Sequence, residues 1–304
     1  MHSEHRPDRW KTVLAFAVIY LVWGSTYLAV RIGVREVPPF LLASVRFIVA
    51  GLLLFAWAML RKERAPTLRE WASASALGVL IFVLDYGLLF WAEQRVPSGP
   101  AAVMMATIPA FMAISEIVLL RTQRLTFRLA SSLLMGFVGV AMLVNPSMNI
   151  GGVVIDSKGA VALIVASMSW SVASALTRML PLPASKAMSS GSQMLAGGLL
   201  LAATAFALGE HRRFLLAAVS GSAWIALIYL IVAGSLIGFT AYVWLIHHES
   251  PTKVGTYAYV NPVVAVTLGY CLGNETIDVR TVMGTLLILA SVVVITTIRR
   301  PKGA

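Results

Sequence analysis

The sequence predicts an all-α integral membrane protein in which ten transmembrane helices form two inverted five-helix repeats, with both chain ends on the cytoplasmic side. Three observations lead there. Of 304 residues, 59% are apolar and only 12% are charged, with a mean hydropathy of +0.83. Soluble domains carry about 25% charged residues, so lipid must solvate much of this chain. The apolar residues fall into runs long enough to cross a bilayer, and the later runs repeat landmarks of the earlier ones.

A helix needs about 20 mostly apolar residues to cross a ~30 Å hydrocarbon core. Ten stretches meet this length between charged, Pro or Gly residues: 12–31, 39–60, 71–91, 98–120, 127–144, 159–178, 188–208, 222–246, 253–272 and 281–298. Span 1 follows Arg6, Arg9 and Lys11. It is too long for a signal-peptide core and lacks a small-residue cleavage site, so it reads as an uncleaved first span. Span 2 opens behind Pro38-Pro39 and holds Arg46; span 3 ends in Ala92-Glu93-Gln94-Arg95-Val96-Pro97. Spans 4 and 9 each hold an internal proline, Pro109 and Pro262, read as repeat-related kinks because proline removes a backbone hydrogen bond. Span 7 carries Gly191, Gly197 and Gly198, small residues suited to close helix packing. No linker is long enough for a soluble domain.

Charge sets the orientation. The amino tail, loops 2–3, 4–5, 6–7 and 8–9, and the carboxyl tail hold 16 of the 24 Lys and Arg residues, and the other loops hold 7. Basic residues collect on the cytoplasmic side, which places both termini there. The net charge of +11 is thereby a statement of topology, and no nucleic-acid partner is expected. The single cysteine, Cys271, excludes an internal disulfide framework and Cys-rich metal sites. His2, His5, His211, His247 and His248 fall in tails or loops, and no Gly-rich phosphate loop appears. The chain therefore reads as a non-enzyme with no metal and no cofactor.

The internal repeat bears most on function. At an offset of 147, Trp23 falls on Trp170, Arg31 on Arg178, and Ala50-Gly51-Leu52-Leu53-Leu54 on Gly197-Gly198-Leu199-Leu200-Leu201. At an offset of 153, Trp71 meets Trp224, Trp91 meets Trp244, and Pro109 meets Pro262. The repeats cover 12–144 and 159–298. Five helices per repeat is odd, so the second copy enters from the opposite face. Inverted repeats are a feature of secondary transporters, whose substrate site lies near mid-membrane between the halves.

Trp23-Gly24-Ser25-Thr26-Tyr27, Arg31-Ile32-Gly33, Pro38-Pro39, Arg46-Phe47 and Ala92 through Gly99 mark the first half. Ser169-Trp170-Ser171, Tyr257 through Ala265 and Gly273-Asn274-Glu275-Thr276 mark the second. Together these resemble the EamA family of the drug/metabolite transporter (DMT) superfamily, especially its YedA-like inner-membrane exporters, over about residues 12–298. The resemblance implies the DMT/EamA fold: a monomeric ten-helix transporter of the bacterial inner membrane, exporting amino acids, related metabolites or drugs through a cavity lined by spans 1, 3, 4, 6, 8 and 9. One departure is Gln123, which stands where the first repeat often carries the Glu that Glu275 supplies in the second.

Within span 1, Tyr20, Trp23, Tyr27 and Arg31 form one helical stripe. Trp23 lies about 16 Å from the start of its span at 1.5 Å per residue, too deep for an interfacial belt. Ionisable groups within spans cost about 2.5–3.5 kcal/mol each on insertion scales and are functional candidates; here they are Arg46, Asp85 and Glu116. Arg46 and Asp85 are expected at similar depth, about 10 and 9 Å from the outer side, which predicts an ion pair serving as an outer gate or as an anchor for a zwitterion. Glu116 is expected to meet Arg121, Arg124 and Arg128. The expected cavity wall is Trp23, Tyr27, Asp85, Tyr86, Met105, Trp170, Tyr242, Tyr257 and Asn261, with Pro109 and Pro262 as hinges.

These residues predict a secondary transporter of small organic molecules, with lipid as its solvent. Aromatic walls with few charges suit amino acids with apolar or aromatic side chains, or amphiphilic drugs. A nucleotide-sugar transporter of the same fold and a non-transport membrane assembly protein are the alternatives. Span 1 has no acid between Thr12 and Arg31, so Asp85 is the acid available for proton coupling; proton antiport, exchange and facilitated diffusion all remain open.

Overall fold

A computed structural model describes residues 9–96, 101, 104–148, 156–264 and 279–298. Cys271, Glu275, Pro97 through Gly99 and the far end of the ninth expected span lie outside them. The described residues form helices α1 (Arg9–Gly33), α2 (Pro39–Leu60), α3 (Leu68–Ala92), α4 (Ile108–Leu120), α5 (Phe127–Met148), α6 (Ser157–Leu176), α7 (Lys186–Ala207) and α8 (Gly221–His248). They are followed by α9 (Pro251–Val254), α10 (257–264) and α11 (Val279–Thr297). Six of these, α1, α2, α3, α6, α7 and α8, are long and apolar enough to cross a membrane.

Local chemistry starts each helix where it starts. Pro39 occupies the first turn of α2, where no N–H is needed. Thr67 and Glu70 cap α3 reciprocally: the Glu70 N–H donates to Thr67 Oγ1 at 3.3 Å, and the Thr67 N–H donates to Glu70 Oε2 at 2.7 Å. Asp156, Ser185, Ser220 and Ser250 cap α6, α7, α8 and α9 with side-chain oxygens. Along α1 the large apolar side chains Leu14, Leu21 and Leu28 recur every seven residues on the exposed face, while Ile19, Trp23 and Val30 turn inward.

Two of the seams between the halves pair repeat-related helices. α2 packs against α7, and α5 against α11. A Cβ on Gly51 would lie 2.8 Å from the Leu195 backbone N, and one on Gly198 would lie 2.8 Å from the backbone N of Ile48. These contacts are reciprocal, since 48 and 51 match 195 and 198 at the repeat offset of 147. They are also antiparallel, because one number rises as the other falls. The second seam behaves alike: Ser291 Oγ donates to the Ser132 carbonyl at 2.7 Å, and a Cβ on Gly139 would lie 2.8 Å from the Gly284 carbonyl oxygen. Residues 132 and 139 match 284 and 291 at an offset of 152.

The helical interiors hold features that differ from the sequence expectation. α3 and α8 each contain a ten-residue π-helical segment, Gly78–Gly87 and Leu230–Phe239, again 152 apart. Such widened turns collect at functional sites. The expected continuous spans 4 and 9 are interrupted. Each breaks at a threonine whose hydroxyl turns back to a carbonyl three residues earlier: Thr107 Oγ1 to Met104 O and Thr256 Oγ1 to Lys253 O, both at 2.6 Å. Pro109 therefore sits in the first turn of α4, just after the break, and does not kink a helix interior. Pro262 lies within α10, six residues beyond Thr256, so the second break is not at the repeat-related position of the first.

Candidate functional site

The two broken helices, α1, α3 and α6 surround a buried cavity. Its wall takes Trp23, Thr26, Tyr27 and Val30 from α1, and Arg46 from α2. Asp85, Tyr86, Leu89 and Phe90 come from α3, with Glu93 just past its end. Met105 and Ile108 flank the first break, Trp170 comes from α6, and Tyr257 and Asn261 come from α10. Eight of the nine expected wall residues are brought together. Tyr242 lies one layer back, its hydroxyl bonded to Ser174 Oγ and its ring packed on Trp23 and Trp170 with centroids 5.3 and 4.7 Å away. α8 thus stands behind the wall, and α2 contributes Arg46 to it.

The aromatic residues form a continuous cluster. Trp23 meets its repeat counterpart Trp170 edge to face at 5.5 Å and Tyr257 at 4.8 Å; Tyr86 meets Trp170 at 5.7 Å. The π-helical segment of α8 makes room for this. Gly238 leaves the space taken by the Trp23 indole, whose N–H donates to the Gly234 carbonyl at 3.1 Å. Gly234 in turn leaves the space taken by the Arg46 guanidinium.

Arg46 and Asp85 share the cavity, but the ion pair expected from their depths is not formed. Arg46 Nε donates to Ser235 Oγ at 2.9 Å, and the guanidinium lies over Phe47, Tyr86 and Phe90 at 4.6, 5.1 and 5.9 Å. Asp85 is only 3% exposed, and its Oδ1 has no hydrogen-bond partner among the described residues. The reason is reach across the helix pair: α2 turns Arg46 toward the opened turns of α8 and the ring faces, which attract a cation. Glu116, expected to meet arginines, is fully buried. It accepts from the Thr252 N–H and hydroxyl at 3.2 and 2.7 Å and from the Thr122 hydroxyl at 3.2 Å.

Glu93 is the functional candidate that sequence reasoning missed. It is buried, lines the cavity, and neither carboxylate oxygen has a hydrogen-bond partner among the described residues, although the Arg31 guanidinium acts on it electrostatically. Asp85, Leu89 and Glu93 recur every four residues and Tyr86 and Phe90 accompany them, so helical periodicity carried through the end of the apolar run would have found it.

The cavity volume is about 40 Å³, room for about three waters and too small for a metabolite. Both ends are tied. On one face Glu36 accepts from the Ser220 N–H and hydroxyl at 2.7 and 2.8 Å, and Glu210 accepts from the N–H groups of Phe40 and Leu41 at 3.4 and 2.8 Å. On the other, Tyr20 bonds Thr256 at 2.7 Å and Arg178 donates to the Glu249 carbonyl at 3.1 Å. Outside the first face lies a polar depression of about 410 Å³ that includes Arg35, Glu36, Trp91, Gln94, Arg95 and Arg213.

A polytopic helical bundle enclosing an aromatic cavity with buried, partnerless polar groups belongs to the class of membrane proteins that handle small solutes. The EamA-like transporter family matches residues 10–145 and again 157–297, and this chain belongs to that family. It is 39% identical over 266 residues to the uncharacterised inner membrane transporter YedA of Escherichia coli (strain K12), covering 87% of this chain and 83% of that protein. It is 27% identical to an uncharacterised transporter of Archaeoglobus fulgidus, covering 93% and 96%. It shares 26% identity with the chloroplastic WAT1-related protein At3g02690 of Arabidopsis thaliana, covering 90% of this chain and 66% of that one. A solved crystal structure, 22% identical, has the same fold with a TM-score of 0.74, covering 95% of this chain and 97% of that chain.

Proposed function

We propose that this protein is a secondary transporter of the bacterial inner membrane that exports small organic metabolites, amino acids with apolar or aromatic side chains or drug-like compounds, by alternating access. It works as a monomer of ten spans, two inverted five-helix repeats with both termini in the cytoplasm, and rocks about the α2–α7 and α5–α11 seams. The observation that carries the reading is the closed central cavity walled by residues of both halves. The reciprocal antiparallel seams support the inverted repeat, since a two-fold axis in the membrane plane produces that pairing. The break at Thr107, flanked by the cavity residues Met105 and Ile108, supports a site within the membrane, because discontinuous helices supply irregular backbone where a transporter binds its cargo. Pro109 and Pro262, beside and beyond the two helix breaks, act as hinges in this scheme. Aromatic faces accept flat or apolar side chains. Among the described residues of the wall a multiply charged phosphate finds Arg46 as its one cation, which disfavours nucleotide sugars.

Flux measurement tests this directly. Proteoliposomes loaded with labelled phenylalanine, leucine or a cationic dye should release them faster than protein-free vesicles, and Trp23→Ala should slow release at least tenfold. Vesicles that release none of a broad solute panel any faster than empty liposomes would remove the transport reading.

A further inference from the structure

Five buried polar atoms in the cavity wall lack a hydrogen-bond partner among the described residues: Asp85 Oδ1, both carboxylate oxygens of Glu93, Asn261 Oδ1 and Trp170 Nε1. Four of these are acceptors, and three of the four are carboxylate oxygens. A carboxylate oxygen buried without a donor is costly, and Arg46, the guanidinium within the cavity, is engaged elsewhere: its Nε donates to Ser235 and its plane lies over three rings. Asp85 is 3% and Asn261 3% exposed, so bulk water does not meet the need. Around them stand Trp23, Tyr86, Trp170 and Tyr257, rings whose faces attract cations. What such a site lacks is compact, positively charged and rich in N–H groups.

We propose that Asp85 and Asn261 form the subsite for the ammonium group of the transported solute. This rests on the transporter reading and narrows it: the cargo is an organic amine whose amino group is required and whose carboxylate, if it has one, is not. A protonated amino group is about the size of a water molecule and enters the 40 Å³ cavity as it stands. The apolar remainder of the solute takes its place when the ring cluster spreads. Asp85 accepts one N–H in a charge-assisted bond, Asn261 Oδ1 accepts a second, and the ring faces cover the cation. A carboxylate in the same place would meet Asp85 and be repelled.

Three ligands that share a phenyl ring and a two-carbon chain isolate the charged groups: 2-phenylethylamine, phenylalanine and 3-phenylpropionate. Titrated against the intrinsic tryptophan fluorescence of the purified full-length protein in detergent, the amine should bind at least as tightly as the amino acid and at least tenfold more tightly than the acid. Asp85→Asn should abolish that preference. Equal binding of amine and acid by the wild type, or amino-acid binding tenfold tighter than amine binding, would overturn the subsite without reference to any variant. Flux of the same three in proteoliposomes separates the two readings. Release of the acid as fast as the amine overturns the subsite and leaves transport standing; tight amine binding with no flux of any solute upholds the subsite and removes transport.

Discussion

At the residue scale, the tools of this protein are carboxylates that cap helices across the two halves. Glu36 takes the N–H and hydroxyl of Ser220, the residue that caps α8, and those two bonds hold its carboxyl below the usual value of 4.5. A carboxyl whose folded pKa is depressed contributes stability that is complete above its unfolded value and is lost as pH falls through the folded one. The thermal midpoint of the wild type should therefore exceed that of Glu36→Gln at neutral pH, with the gap closing as pH drops below 4.5. Parallel curves across that range would show that Glu36 contributes nothing to the closed face. The individual aromatic residues of the wall were legible in the sequence because depth within a span and helical spacing both select them. Their partners were not: depth alone cannot say that Arg46 turns toward Ser235 rather than Asp85, since that depends on which neighbouring helix opens its turns.

At the element scale, apolar run length and capping chemistry made the helices legible, and their interruptions were hidden. Prolines drew attention to spans 4 and 9, yet the breaks fall at Thr107 and Thr256, residue types common inside membrane helices. The π-helical segments of α3 and α8 left no mark in composition; only their spacing of 152, known after the fact, ties them to the repeat. The seams were half legible, as small residues suited to packing but with no partner assigned. They give a sharp contrast in tolerance. Gly51→Leu should destabilise the protein by about 1–3 kcal/mol or prevent folding, because the side chain meets backbone that has nowhere to go. Gly221→Ala, in the first turn of α8 with nothing within 4 Å of a new Cβ, should be neutral or stabilising by up to about 1 kcal/mol. Detergent thermal melts of both variants check this, and a tolerated Gly51→Leu would contradict the close approach of α2 and α7.

At the scale of the whole molecule, alternate loops gather at two opposite faces. Loops 1–2 and 7–8 meet through Glu36 and Ser220, and loops 6–7 and 8–9 meet through Arg178 and Glu249. This is the pattern that basic-residue counting anticipates, and it can be tested for sidedness. In a Cys271→Ser background, Ser220→Cys should react with a membrane-impermeant maleimide in intact cells, while Lys62→Cys should react only after the membrane is opened. The reverse pattern would invert the proposed orientation. The proposed orientation rests on the distribution of basic residues behind the bulk charge of +11, because positive charge responds to the bilayer as a whole and not to the details of packing.

The reciprocal seam also has a genetic consequence. Gly51 presses on Leu195, and Gly198 presses on Ile48, so each half carries both a notch and the tooth that fills the other's notch. Because each notch is floored by the opposite main chain as well as by a side chain, shortening Leu195 or Ile48 cannot make room for a larger residue at Gly51 or Gly198. A Leu195→Ala change should therefore fail to rescue Gly51→Leu, and the mirrored Ile48→Ala should fail to rescue Gly198→Leu.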